Sequence, residues 1–307
     1  MNNKTYSIII PTRNRSGLLT NLLQHINIKD KFLSEIIIID SSDLKINKQL
    51  FIRSKKIKYF HTSIKSASLQ RNIGIKKLNK SSKYVFFLDD DVIPRRTYFQ
   101  RLINTLELNK AIGASGISLG LNNKRKKSSL KGNLSSLAKR IFLLDSKFDG
   151  KLLKSGVNIP VRQKVKTKKY IQEVDWLIGC SVWDRNIFLK VKFHTNFYGQ
   201  SLGEDVLFSA LANKHGKLVV DPNVIFTHLE SSIMRPDNLN HFKMWIRNRY
   251  IISNELNLSR YNSMYHWCNF GKTIQLILCI PLNLKKNLRS LKGILYGYIS
   301  IWRINES

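Results

Sequence analysis

Asp89, Asp90 and Asp91 stand in a row after an apolar run at residues 84–88, YVFFL. Adjacent carboxylates repel one another, and a cation relieves that cost. On an extended backbone Asp89 and Asp91 point the same way. Their hard oxygens suit one Mg²⁺ or Mn²⁺ that also holds a diphosphate. A helix cap ahead of Pro94 is the other use of Asp here, but one Asp serves a cap and three favour the metal. Asp40 ends a second apolar run, EIIII at 35–39. It fits an Asx turn with Ser42 and Asp43, and equally an acceptor for a nucleotide base. Glu204 and Asp205 open a helical pattern. Ser201-x-x-Glu204 reads as a capping box, which occupies Glu204. Asp205 is left as a carboxylate at a helix N-terminus, ionised as a general base must be. Arg71, in SLQRNIGI, is either a solvated charge or a partner for phosphate or carboxylate. His228 follows a short strand and reads as structural or as a ligand.

These groups need a scaffold that brings them together. Apolar runs at 6–10, 35–39, 57–60, 84–88 and 111–119 alternate with helical patterns at 18–26, 44–52, 66–78 and 94–108. Strand–helix units of about 30 residues predict a parallel sheet with helices on both faces. Continuous rather than alternating apolar strands predict burial on both sides. Ligands bind such sheets beyond the carboxyl ends of the strands, where Pro11-Thr12, Asp40 and Asp89–Asp91 all fall. A helix at 204–214 and short strands at 218–220 and 224–226 follow. Between them, residues 122–170 are basic and weakly periodic, with Lys124, Arg125, Lys126, Lys127, Lys131, Lys139 and Arg140, then Lys164, Lys166, Lys168 and Lys169. This stretch reads as an insertion with a mobile basic loop.

Lys and Arg number 52 against 20 Asp and Glu, a net charge of +32 over 307 residues. Such a field favours polyanions: nucleic acid, anionic lipid or phosphorylated substrates. An AT-rich coding bias toward Lys, Asn and Ile produces the same excess. Three cysteines, Cys180, Cys268 and Cys279, none in a C-x-x-C spacing, argue against a disulfide framework and a zinc knuckle and fit a reducing compartment. The N-terminal stretch has no apolar segment of signal length. Residues 274–282 are far short of the roughly 20 needed to span a bilayer. The expected location is the cytoplasm, with peripheral attachment at the inner face of the plasma membrane as the membrane variant.

The blocks SIIIPTRNR, EIIIIDSSD, SLQRNIGI, YVFFLDDDVIP, DWLIGCSVWDRNIF, GEDVLFSALANKHGKL and VIFTHLES occur in that order. Together they resemble the family-2 glycosyltransferases of the GT-A fold, especially bacterial members that build surface polysaccharides. The likeness runs from about residue 6 to 228, with 122–170 poorly matched. It implies a Rossmann-like α/β fold with a mostly parallel central sheet, helices on both faces and a helical C-terminal extension. It implies a catalytic domain over 1–235, made of a nucleotide-binding half (1–120), the basic insertion (121–170) and an acceptor half (171–235), followed by a helical region at 236–307.

The resemblance also implies roles. Pro11, Thr12, Arg13 and Asp40 match donor-binding positions, with Ser41 departing from the acid or amide common there. Arg71 matches an arginine near the nucleotide. Asp89 and Asp91 match the ends of the D-x-D motif, with Asp90 between them; Asp91, Asp89 and His228 are the implied metal ligands for Mn²⁺ or Mg²⁺. Trp176, Gly179 and Cys180 match the strip flanking donor sugar and acceptor. Asp205 matches the catalytic base, with Glu204 beside it. The implied reaction is inverting transfer of a sugar from a nucleotide-sugar donor to a hydroxyl of a glycan or polyprenyl-linked acceptor. A nucleotidyltransferase of similar fold and a basic nucleic-acid-binding protein are the competing readings; no specific nucleic-acid motif is evident.

Two aromatic-apolar stripes mark the C-terminal region: Phe242, Trp245, Ile246 and Tyr250, then Leu288, Leu291, Leu295, Tyr298 and Trp302. Lys243, Arg247, Arg249, Lys285, Lys286, Arg289 and Lys292 accompany them. They fit an anionic membrane surface, or packing on the catalytic domain or a second subunit.

Overall fold

Four of the apolar runs become neighbours in one sheet: β1 (Tyr6–Thr12), β2 (Leu33–Asp40), β3 (Ile57–His61) and β4 (Tyr84–Phe87). The computed structural model describes residues 4–47, 54–120, 130–161, 170–199, 201–229 and 237–305. It divides into two units, Met1–Asn123 with Val161–Ile233, and Lys124–Pro160 with Met234–Ser307.

In the first unit, β5 (Val92–Pro94), β6 (Gly113–Gly120), β7 (Gln172–Val174), β8 (Ser181–Asp184) and β9 (Leu218–His228) complete a nine-stranded sheet of order β3-β2-β1-β4-β8-β6-β9-β5, with β7 beside β9. β3, β2, β1 and β4 are parallel, as are β6 and β9. β8 runs against both β4 and β6, and β5 and β7 run against β9. Successive residues of β1 face opposite sides. Ile8 and Ile10 pack with Leu19 and Leu22 of α1 (Ser16–Gln24) and Leu102 of α3 (Tyr98–Leu108). Ile9 packs on the other side with Phe208 and Ala212 of α5 (Glu204–Asn213) and Ile73 of α2 (Ala67–Lys76). The sheet is therefore covered twice, and every residue of β1 is buried.

Several expectations are corrected. Pro94 does not open a helix: it ends β5, an edge strand where its missing N–H breaks no central ladder, and α3 starts at Tyr98. Residues 44–47 are not helical, and 48–52 lie outside the described residues. The strands expected at 218–220 and 224–226 are one strand, β9, whose register against β6 shifts between Ser115 and Ile117, the stretch that faces Pro222. The 122–170 stretch holds a helix, α4 (Leu130–Ile141), because Leu-rich helical spacing outweighs its charge. Lys124, Arg125, Lys126, Lys127, Lys164, Lys166, Lys168 and Lys169 lie outside the described residues.

The second unit joins α4 to α6 (Asn238–Glu255), α7 (Ser263–Leu278) and α8 (Leu284–Asn305). Ile246, Tyr265, Leu276, Ile294 and Ile301 form its core, with Phe242, Trp245, Tyr250, Leu291 and Tyr298 packed against them. The first stripe is thus spent on internal packing. Arg249 is not on a solvated basic face either. It is buried, with its guanidinium 3.9 Å from the Trp245 ring centre, and it donates to Asn269 Oδ1 (3.0 Å) and the Ser155 carbonyl (2.7 Å). The second stripe divides: Leu291 and Tyr298 face the core, while Leu288, Leu295 and Trp302 are exposed. No helix among the described residues is long and apolar enough to cross a membrane.

Candidate active site

The carboxyl ends of β1, β2 and β4 lie side by side, so Thr12, Asp40 and the three aspartates reach one edge. Gln70 of α2 ties this edge together, donating from Nε2 to the carbonyls of Thr12 (2.9 Å) and Ile39 (2.6 Å). Pro11 contributes no N–H where β1 ends. Beyond it, Asn14 and Asp43 bond reciprocally at 2.7 and 3.0 Å, and Arg13 reaches Asp43 at 3.5 Å.

Asp40 is fully buried and takes the Asx-turn geometry. Its Oδ1 accepts from the Ser42 N–H (2.8 Å) and hydroxyl (2.5 Å), and its Oδ2 from the Tyr59 hydroxyl (2.6 Å).

The three aspartates do not share an extended backbone. They lie in the turn segment between β4 and β5; Asp89 meets Arg71, while Asp90 and Asp91 share Arg15 and differ in their other partner. Asp89, with 40% of its side chain exposed, accepts from Arg71 Nη2 at 2.7 Å. Asp90 is buried and accepts from the Thr12 hydroxyl (2.7 Å) and Arg15 Nη1 (3.1 Å). Burial nevertheless pushes its carboxyl up to about 6, against the pull of Thr12 and Arg15. Asp91 meets His228 Nε2 at 3.2 Å and Arg15 Nη1 at 3.5 Å. Two of the expected ligands, Asp91 and His228, are therefore brought together, because β5 pairs Val92 with His228 and the Leu229 N–H bonds the Asp91 carbonyl at 2.9 Å. Asp89 faces Arg71 instead. Among the described residues, no group of three or more His, Cys, Asp or Glu converges as a metal cage.

Arg71 is the hub of the other half. It is 3% exposed, bonds Asp89 through Nη2 and forms an ion pair with Glu204 through Nη1. The capping-box expectation is thereby corrected. The N-cap is Gly203 in a left-handed conformation (φ 86°), and Ser201 bonds Phe197 and Gly199 carbonyls at 3.3 Å. A buried arginine is a stronger partner for Glu204 than a backbone N–H. Gly179 comes close to this ion pair: a Cβ there would stand 3.1 Å from Arg71 Nη2 and 3.2 Å from Asp89 Oδ2. The buried Cys180 thiol lies 3.9 Å from Asp89 Oδ2, and burial pushes its pKa well up. Trp176, buried in the same β7–β8 segment, is placed as wall rather than as an exposed platform.

Asp205 sits next to Glu204 in the first turn of α5. Its carboxylate accepts a hydrogen bond from the Val206 N–H at 2.9 Å. Arg71, Gly179 and Asp205 line one cavity of about 10 Å³, room for a single water. Burial raises the Asp205 carboxyl to about 6; Arg71 opposes this and Asp89 adds to it. The helix N-terminus alone does not hold it low, which amends the sequence expectation. A carboxylate titrating near 6 is still ionised at neutral pH and is closer to the proton affinity a general base needs.

Sequence reading missed Arg15 and Gln70. The motif PTRNR shows two arginines, and nothing in their type separates Arg13, at the rim, from Arg15, between two buried acids.

The model for glycosyl transferase family 2 matches residues 7–167, just over half of the chain. Uncharacterized glycosyltransferases of Rickettsia conorii and Rickettsia felis are each 34% identical, over 94 and 88 residues, covering 30% and 28% of this chain. The chain covers only 15% and 14% of those two relatives. The structure of GalNAc-T7 with UDP, GalNAc and Mn²⁺ superposes with a TM-score of 0.57 at 16% identity, over 87% of this chain and 54% of that one. Staphylococcus aureus TarS 1-349 superposes with a TM-score of 0.54 at 13% identity, over 95% and 80%. At such identities the two structures establish a shared GT-A fold. With a matching model over half its length, the chain belongs to glycosyl transferase family 2.

Proposed function

We propose that the chain transfers a sugar, with inversion, from a nucleoside-diphosphate donor to a hydroxyl of a glycan or polyprenyl-linked acceptor in bacterial surface-polysaccharide synthesis, acting from the cytoplasm. The observation that carries this is the placing of Asp205 beside the Arg71–Asp89 pair, on the same sheet edge as Asp91 and His228.

Asp205 accepts the proton of the acceptor hydroxyl. Glu204 is held by Arg71, so one carboxylate is left for proton removal, and in-line attack on the anomeric carbon predicts inversion. Arg71, locked by two acids, presents a fixed positive charge where the sugar-diphosphate meets Asp89. Thr12, Arg13 and the Asp40–Ser42 turn shape the side of the edge nearest the base. Trp176, Gly179 and Cys180 bound the sugar and acceptor strip.

A divalent cation fits Asp91 and His228. Asp91 and His228, whose carboxylate oxygen and imidazole nitrogen stand 3.2 Å apart, would hold it, and an oxygen with a nitrogen ligand suits Mn²⁺ or Mg²⁺. Bound there, it would supply neutralisation of the charge on the departing nucleoside diphosphate. GalNAc-T7 was solved with UDP and Mn²⁺, which makes UDP the first nucleotide to test here.

Calorimetric titration with UDP, GDP and dTDP, each with Mn²⁺ and with EDTA, tests the reading. Tight binding of one nucleotide is expected with Mn²⁺ only, and lost in Asp91→Ala and His228→Ala. Binding of none of the three, with or without metal, overturns it.

A further inference from the structure

Helix α8 has two apolar faces, and only one is used inside its unit. Gly293 and Gly297 let it press onto α6. A Cβ at Gly297 would stand 2.5 Å from Ile246 Cβ, and one at Gly293 would stand 2.9 Å from Phe242 Cβ. Ile294 and Ile301, on the same side, are in the core. At about 100° per residue, Leu284, Leu288, Leu295, Ile299 and Trp302 fall within about 60° of arc on another side of the helix. All five are exposed, Leu295 to 59% and Trp302 to 65%. Lys292 and Lys285 stand next around the arc, both exposed. The corner before α8 adds Leu278 and Leu282, exposed to 73% and 83%.

We propose that this stripe is a membrane-surface docking site: α8 lies in the plane of an anionic bilayer, with the four aliphatic side chains among the acyl chains and Trp302 and the lysines at the headgroups. Charge selects this occupant. The second unit carries 21 Lys and Arg against 5 Asp and Glu, a net +16. A second copy of the same stripe would bring that charge against itself, whereas anionic lipid complements it. Tyr296 and Trp302 on this exposed side have the amphipathic rings that settle at a headgroup boundary. The proposal does not depend on the catalytic reading, because none of its residues belongs to the active site.

The test is flotation of the purified chain with phosphatidylcholine vesicles, with and without phosphatidylglycerol. Binding to the anionic vesicles is expected, weakened by salt. Leu288→Glu with Leu295→Glu should reduce partitioning about tenfold or more, since it removes buried apolar area and adds repulsion. Lys285→Gln with Lys292→Gln should reduce it on anionic vesicles less steeply. Both pairs are exposed, so circular dichroism should give wild-type folding. No flotation at low salt overturns the proposal. So does wild-type flotation of the Leu288→Glu, Leu295→Glu variant, which would mean attraction by charge alone. A dimer that this variant dissolves, seen by light scattering, assigns the stripe to a second copy and also overturns it.

Discussion

Arg71 is asked to do two things at once, and its environment shows which dominates. Glu204 is almost completely buried, whereas Asp89 is partly open to solvent. Removing the guanidinium strands the Glu204 charge in the interior, so Arg71→Ala should cost about 3–5 kcal/mol in urea unfolding. Arg71→Lys, which keeps the charge but loses the fork that spans both acids, should recover only part of it. Asp205 is the opposite case, a group whose ionised form the fold disfavours. Its pKa rises from 3.8 to about 6, so the stability tied to its proton is full below about 3.8 and is lost as pH rises through about 6. At pH 7, Asp205→Asn should therefore raise Tm by a few degrees while lowering kcat about 10²–10⁴-fold and leaving nucleotide binding intact. The wild-type kcat/KM should fall on the acid side with a midpoint near 6; a flat profile from pH 5 to 8 would remove Asp205 as base. The acids were legible as residue types beside apolar runs. Their partners were not: Arg15 reaches Asp90 across 75 positions and Gln70 reaches the Thr12 carbonyl across 58. No local pattern encodes contacts of that range.

Strands β1, β2 and β4 could be read directly because each is a continuous apolar run buried on both faces, and burial of that kind leaves a signal in the strand's own residues. β5 and β7 could not. Each is three residues long and exists only because β9 offers an edge to pair with. That dependence makes β9 the element on which His228 rests. Where β9 passes Pro222 and loses register with β6, Gly116 lies against the Val224 carbonyl. A backbone oxygen has no rotamer to escape into, so even one methyl must move the strand. Gly116→Ala should cost about 1–3 kcal/mol. It should also weaken the Mn²⁺ dependence of nucleotide binding more than Asp205→Asn does, because it displaces the strand that carries His228 toward Asp91. Equal metal affinity in both variants would mean that the two halves of β9 move independently.

At the scale of the whole chain the dominant fact is +32, and it acts with opposite sign on stability and on association. Like charges in a folded chain repel, and folding brings them closer than the unfolded ensemble does. Raising ionic strength from 0.01 M to 0.15 M shortens the screening length from about 30 Å to about 8 Å and relieves that repulsion. Tm should therefore rise with salt by several degrees. The same field draws an anionic nucleotide-sugar toward the sheet edge, so screening it should lower kcat/KM by up to about tenfold while leaving kcat, set by groups in contact, nearly constant. The ion pairs of Arg71 with Glu204 and of Arg15 with Asp90 and Asp91 are largely buried, so this range of salt should leave them intact. The two measurements on one salt series separate the field from the contacts. If Tm and kcat/KM fell together, the lost term would be the buried pairs, and the charge excess would be a compositional habit without energetic weight. If Tm rose while kcat/KM fell, the excess costs stability and is kept for association with anions.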